Sequence, residues 1–194
     1  MKSVPDGLAN SMVRVALFLA GSAAIVWLSW RSLKDSRSHG FYRFFAFELL
    51  WALILLNIPI WFRDPLSARQ LVSYSLGAAS IGLAIEGFRL LRLIGRPSRT
   101  VAQGTDLGFE STTTLVTVGV YRFIRHPLYA SLLALVWCAY LKNPLPISRI
   151  ALALGATGFL IATGVTEEKE NLQHFGAAYA AYMKRTRRFI PFLF

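Results

Sequence analysis

Pro127-Leu128-Tyr129-Ala130-Ser131-Leu132-Leu133-Ala134-Leu135-Val136-Trp137-Cys138-Ala139-Tyr140-Leu141 runs for a full helix length without a charge. Asn143-Pro144-Leu145-Pro146 then turns the chain, and residues 150–166 are uncharged again before Glu167-Glu168. Two apolar helices joined by a short turn form a hairpin, so residues 126 and 167 return to the same side. Gly119-Val120-Tyr121-Arg122-Phe123-Ile124-Arg125-His126 stands before the first helix. A set of polar groups able to bind a ligand is therefore split across two segments and meets at one water–lipid face.

Working outward, three more blocks share this character: 15–30, 44–62 and 70–85. The chain has 194 residues, 55% hydrophobic and only 16% charged. A soluble domain carries about 25% charged residues. The deficit is concentrated in the five blocks, and charged residues bracket each of them. At 1.5 Å per residue they span about 22–29 Å, and flanking Arg and Lys can snorkel across the remainder of a ~30 Å hydrocarbon core. The sequence predicts an all-α integral membrane bundle of five transmembrane helices. A soluble helical bundle is the alternative.

Fifteen of the 21 Lys and Arg fall on the side that carries the C-terminus. Short cytoplasmic loops are enriched in these residues, so the pattern predicts a cytoplasmic C-terminus and an external N-terminus. The net charge of +11 reads as loop charge with some attraction to anionic lipid, and nucleic acid is not an expected partner. The lone Cys138 excludes an internal disulfide and reads as packing. The first block is longer than a signal-peptide core and ends at Trp27, Trp30 and Arg31, so an uncleaved span is expected.

Along the chain, Glu48 is expected about one turn inside the cytoplasmic end of the second span, after a basic link over residues 31–43. The third span carries Gly77, Ala78, Ser80, Gly82 and Ala84, which permit close helix packing, and it is expected to end around Glu86 and Arg89. Residues 1–94 form an N-terminal part with three spans. Residues 95–194 form a second part: a Gly- and Thr-rich cytoplasmic loop over 95–118, the hairpin, and a C-terminal helix. Pro127 suits a first helical turn. Leu172, Phe175, Tyr179 and Tyr182 recur at helical spacing and give one apolar stripe. The last helix is expected to leave the membrane and bend onto its surface as an amphipathic segment.

His126 and Tyr129 lie three residues apart on one helical face. With Arg125 and Tyr121 they offer a fixed positive charge, an imidazole and two aromatic faces. Glu167 and Glu168 add two carboxylates across the hairpin. Such a site suits a zwitterion carrying a second cation, and S-adenosylmethionine is one: a carboxylate for arginine, an ammonium for glutamate, a sulfonium for aromatic faces. His39, His126 and His174 have no metal-ligand spacing, so no metal is expected. No phosphate-binding loop, serine-nucleophile motif or Rossmann fingerprint is present.

Leu115 to Tyr121, Arg125-His126-Pro127-Leu128-Tyr129, Glu167-Glu168 and Phe175-Gly176-Ala177-Ala178-Tyr179-Ala180-Ala181-Tyr182 together resemble the isoprenylcysteine carboxyl methyltransferase family, which in turn resembles membrane phospholipid methyltransferases. The resemblance covers about residues 100–191. It implies that 95–194 is a methyltransferase core binding S-adenosylmethionine on the cytoplasmic side under the C-terminal helix. A lipophilic acceptor, prenylcysteine-like or a lipid amine, would enter from the membrane. It places cofactor contacts at Thr113, Thr114, Leu115, Val116, Tyr121, His126, Pro127, Leu128, Tyr129 and Glu167, with Gln103 as a further contact. His126, Glu168 and Arg125 are assigned to the chemistry. One position departs: where enzymes acting on prenylcysteine carry an arginine, four residues before the first glutamate, this chain has Thr163. Two other readings stand beside this one. Membrane sterol reductases using NADPH resemble the same half, and a non-catalytic scaffold would also explain the spans.

Overall fold

The computed structural model describes residues 6–96, Leu107 and 112–193, with side chains from Ser11 onward. Six α-helices follow one another: α1 (Asp6–Ser29), α2 (His39–Asn57), α3 (Ala68–Leu93), α4 (Pro127–Leu141), α5 (Ile147–Phe175) and α6 (Ala177–Arg185). The first three, with α5, are long and apolar enough to cross a membrane; α4, with 15 residues, is shorter. The five apolar blocks are thus five apolar helices, and the all-α architecture holds among the described residues.

Local chemistry sets the helix ends. Ser38 and Ser67 cap α2 and α3 by accepting from the amides of Phe41 and Gln70. Pro127 opens α4, where its missing N–H costs nothing. Arg69 donates to the carbonyls of Leu141 and Lys142 and so satisfies two groups that the end of α4 leaves open. Lys142 donates to Gln70 Oε1 at 3.0 Å and sits over the rings of Tyr74 and Trp61, at 4.0 and 5.0 Å. Asn57 bridges α2 to α4 by donating to Leu53 O and Ala139 O.

α3 lies along α4, α2 along α5, and α1 packs on α2. Lipid tails are as apolar as leucine, so burial from lipid stabilises little and close packing matters more. Ala139, Ala153 and Ala156 are completely buried and let the backbones approach, with Leu53, Val136 and Leu160 filling the spaces. On α3 the packed face is Ser73, Gly77, Ser80, Gly87 and Leu90. Gly77 meets Cys138 and Gly87 meets Pro127 and Leu128, whereas Gly82 faces open space and takes no part.

Three expectations are corrected. α3 continues to Leu93, a turn beyond Arg89. Arg43 is not in a link: it lies in α2, fully buried beside His39. α2 begins at His39, which holds Glu170 of α5 by its amide (3.0 Å) and its ring (2.5 Å). Glu48 is therefore nine residues along α2, about 13 Å from its start, not one turn. There it accepts from Ser22 of α1 at 2.6 Å. α2 and α3 outrun their apolar blocks because a helix that emerges from a membrane continues through polar residues.

α5 shows this most clearly. Glu167 stands 20 residues after Ile147, about 30 Å along the helix and so one hydrocarbon thickness away. The last two turns of α5 project beyond that level. Gly176, at φ +55°, then breaks the helix into α6.

Candidate active site

The site forms where the start of α4, the projecting end of α5, α6 and the C-terminal strand of chain converge. Its floor is set by Gly119, which adopts φ +58° and lies against Leu90 and Glu86 of α3. Only glycine takes this conformation readily, and a Cβ here would stand 2.6 Å from Leu90. The following 3-10 turn, Gly119–Arg122, buries Tyr121, whose hydroxyl donates to Gly87 O at 3.4 Å. Tyr182 of α6 donates to Tyr121 O at 2.6 Å. α6 is thereby hung over the start of α4.

Residues 123–126 pair with the C-terminal segment in parallel fashion. Arg125 N donates to Arg187 O at 2.8 Å, His126 N to Arg188 O at 3.1 Å, and Arg187 N to Phe123 O at 3.0 Å. This strap carries Phe189 into the protein, against the rings of His126 (5.9 Å) and Gly164 of α5. His126 also stacks on Tyr129 at 5.5 Å, as its spacing predicted.

The two glutamates part company. Glu168 is buried and holds two guanidiniums: Arg125 Nε donates to Oε1 at 2.8 Å, and Arg188 donates from Nε at 3.1 Å and from its terminal nitrogen at 2.7 Å. The Glu168 carboxylate raises the pKa of Arg188. Arg125 continues to Thr186 O (2.5 Å) and Met183 O (3.3 Å). Its charge is thus directed at the C-terminal strap and at Glu168. Glu167, one residue earlier, faces a cleft, and its Oε2 is buried with no hydrogen-bond partner among the described residues. His126 Nδ1 lies 3.9 Å from Glu167 Oε1, too far for a hydrogen bond. Its Nε2 is 3.5 Å from Glu168 Oε1, but is not aligned to bond.

The cleft is small, with a cavity volume of about 70 Å³, and it opens to solvent on one side. Among the residues expected at the cofactor, Leu115, Val116, Tyr121, His126, Pro127, Leu128, Tyr129 and Glu167 line it, and so does Arg125. Thr113 and Thr114 do not: their amides bond Gly95 O and tie the loop to the end of α3. Gln103 lies outside the described residues. Glu168 stays behind the wall.

The sequence reading overlooked Leu91, Thr112 and Asn171, which complete the lining. Asn171 is one turn after Glu167 on the same face of α5, a spacing that could have revealed it. Phe175, Tyr179 and Tyr182 were read as an apolar stripe on a surface helix. Instead they face the cleft, and the two tyrosines are buried. Burial pushes both phenols well above their ordinary pKa. They remain protonated, serving as donors and aromatic faces and not as bases. Thr163, the departing position, is completely buried and donates to Phe159 O at 2.7 Å.

An acceptor oxygen with no donor among the described residues, beside a cleft that Tyr129, Phe175 and Tyr179 line, suits a cationic ligand carrying an ammonium or hydroxyl group.

Residues 101–174 match the Isoprenylcysteine carboxyl methyltransferase (ICMT) family. The chain is similar to Methanethiol S-methyltransferase 2 of Bradyrhizobium diazoefficiens, 25% identical over 150 residues that make up 75% of this chain and 55% of that protein. It is also similar to Protein-S-isoprenylcysteine O-methyltransferase B of Arabidopsis thaliana, 37% identical over 86 residues, 43% of each chain. The chain therefore spans about half the length of the curated relatives it matches. No solved structure gives a significant match.

Proposed function

We propose that this chain is an integral membrane methyltransferase, with residues 95–194 as its catalytic part, that binds S-adenosylmethionine in the cleft between α5, α6 and the start of α4. The observation that carries the reading is Glu167: a carboxylate with a buried oxygen that has no donor among the described residues, lining a cleft together with His126 and aromatic residues. The family match and the two methyltransferase relatives support it.

When bound, S-adenosylmethionine supplies an electrophilic methyl group on its sulfonium. The protein's work is chiefly positioning and exclusion of water. Glu167, with Asn171 one turn on, receives the donors of the bound molecule. Tyr129, Tyr179 and Phe175 present ring faces to positive charge. Tyr182 fixes Tyr121 and with it the floor of the cleft. His126 lines the cleft and is the imidazole placed to take a proton from an acceptor that must lose one. Arg125 and Glu168, which the sequence assigned to the chemistry, act as positioning residues that hold the strap, and through Phe189 they hold His126.

The acceptor is a lipophile reached from the membrane side. Thr163, buried outside the cleft lining, is neutral and brings no charge to an acceptor. A neutral or amine-bearing acceptor therefore suits the site better than a carboxylate, which would need a fixed cation at a desolvated site. The cleft faces the cytoplasm, because the C-terminal side holds the basic excess. Reporters fused to each terminus test this: signal from a cytoplasm-only reporter at the C-terminus alone is expected, and signal at the N-terminus alone overturns it.

Detergent-purified protein titrated separately with S-adenosylmethionine and with NADPH tests the cofactor. Saturable binding of the first and none of the second is expected. The reverse would make the cleft a hydride-transfer site.

A further inference from the structure

The strap that closes the site presents a second recess on its outer side, lined by Arg125, Met183, Thr186, Arg187, Arg188 and Leu193. Glu168, which is buried, is shared between two of its arginines, Arg125 and Arg188. Arg187 is exposed, its backbone engaged with Phe123 and Arg125 while its side chain has no ion pair among the described residues. Arg122, Lys184 and Arg185 are exposed nearby in the chain, also without an ion pair among the described residues. Arg122, Lys184, Arg185 and Arg187 thus bring four positive charges to this side, with no ion pair among the described residues.

An apolar fringe accompanies it. Phe192 and Leu193 are 84% and 79% exposed, with Ile190 and Phe123 about half exposed. Phe123 and Phe192 meet edge to face at 6.5 Å. Large exposed aromatic and aliphatic groups beside bare guanidiniums suit neither water nor a purely polar partner. The patch lies at the level where α4 begins, the end of the hairpin at which α5 emerges from the span.

We propose that this recess and its fringe form a docking site for an anionic phospholipid, with the headgroup phosphate received by Arg187 and its basic neighbours and the acyl chains lying against Ile190, Phe192 and Leu193. Charge complementarity selects the occupant: a phosphodiester takes forked guanidinium donors well, and the apolar rim demands chains attached to it. Zwitterionic lipid supplies the chains but cancels the charge. Because the same strap carries Arg188 and Phe189, a lipid bound here would hold the wall of the cleft in place. The site itself is independent of the methyltransferase reading.

The full chain in detergent, offered phosphatidylglycerol or phosphatidylcholine and examined by native mass spectrometry, tests this. Preferential retention of phosphatidylglycerol is expected. A variant with Lys184→Gln, Arg185→Gln and Arg187→Gln should lose it by roughly a hundredfold, since each of the three basic residues at an anionic surface contributes about a fivefold factor. Its melting temperature should not change. A control with Arg31→Gln, Lys34→Gln and Arg37→Gln, basic residues elsewhere on the same side, should retain the lipid. Inorganic phosphate at millimolar concentration should not displace it. Equal loss in both variants would mean generic loop charge, displacement by phosphate would mean an ion site, and absence of any preference would mean no site; each overturns the proposal.

Discussion

Glu167 and Glu168 are neighbours in the chain yet face different surroundings: Glu168 is 5% exposed between two guanidiniums, while Glu167 borders the cleft with an oxygen that no described residue satisfies. Successive residues of a helix point 100° apart, so one carboxylate can turn into the protein while the next looks out. The pair divides its labour accordingly, one holding the architecture and one awaiting a ligand.

Glu167→Gln should therefore weaken S-adenosylmethionine binding without harming the fold. Loss of one charge-assisted hydrogen bond costs on the order of 1.5–3 kcal/mol, about 10- to 150-fold in affinity. Isothermal titration of the purified variant measures this. Unchanged affinity in a protein with the parental melting temperature would remove Glu167 from the site.

Glu168→Ala should do the opposite and strike stability first. Removing one partner from a buried ion pair leaves charges without compensation and costs about 3–5 kcal/mol. The denaturation midpoint in detergent should fall, and the C-terminal strap should become sensitive to protease. A variant as stable and as resistant as the parent would show that the Arg125–Glu168–Arg188 cluster does not hold the strap.

The strap also depends on Gly164. A Cβ there would stand 2.8 Å from the Phe189 ring, which is itself pinned against His126. Gly164→Ala should destabilise by roughly 1–3 kcal/mol, as overpacking does. Adding Phe189→Leu should recover part of that loss. If the two substitutions simply add, the residues do not pack as described.

Lys142 gives a pH signature at the other end of the bundle. Burial lowers its pKa in the folded chain, while the unfolded chain keeps its ordinary value of 10.5. Between the lowered value and 10.5 the unfolded state binds more protons, so stability should rise with pH in that window. Lys142→Met should remove the rise and raise stability at neutral pH. Parallel stability–pH curves for variant and parent would contradict this account of Lys142.

Much of this was legible beforehand, for identifiable reasons. Charge-free blocks of helical length, such as Pro127 to Leu141, have few soluble explanations, so helix number and type could be read directly. Pro127 marked its helix start to the residue. His126, Tyr129 and Glu167 could be placed together because a hairpin must return. The continuation of α5 beyond Glu167 was legible from the helical spacing of Leu172 and Phe175, whereas the start of α2 at His39 was not, since polar turns outside a membrane look like loops. Nor could the sequence show that Glu168 holds the architecture, because that depends on Arg188, twenty residues later, folding back through a strap with no periodic signal. Tyr179 and Tyr182 had the right spacing for a lipid-facing stripe; only the turn at Gly176 directs them inward.

The most direct test of the central claim is transfer of a radiolabelled methyl group. Membranes containing the full chain are given S-adenosylmethionine labelled on its methyl group and a panel of lipophilic acceptors: thiols, amine-bearing lipids, phenols and a farnesylcysteine analogue. The account predicts label in at least one acceptor, with neutral or amine-bearing ones preferred, and a deep loss of rate with Glu167→Gln. Label in no acceptor from protein that is folded and binds S-adenosylmethionine would contradict the claim of methyl transfer, and farnesylcysteine labelled far above the rest would contradict the reading of Thr163.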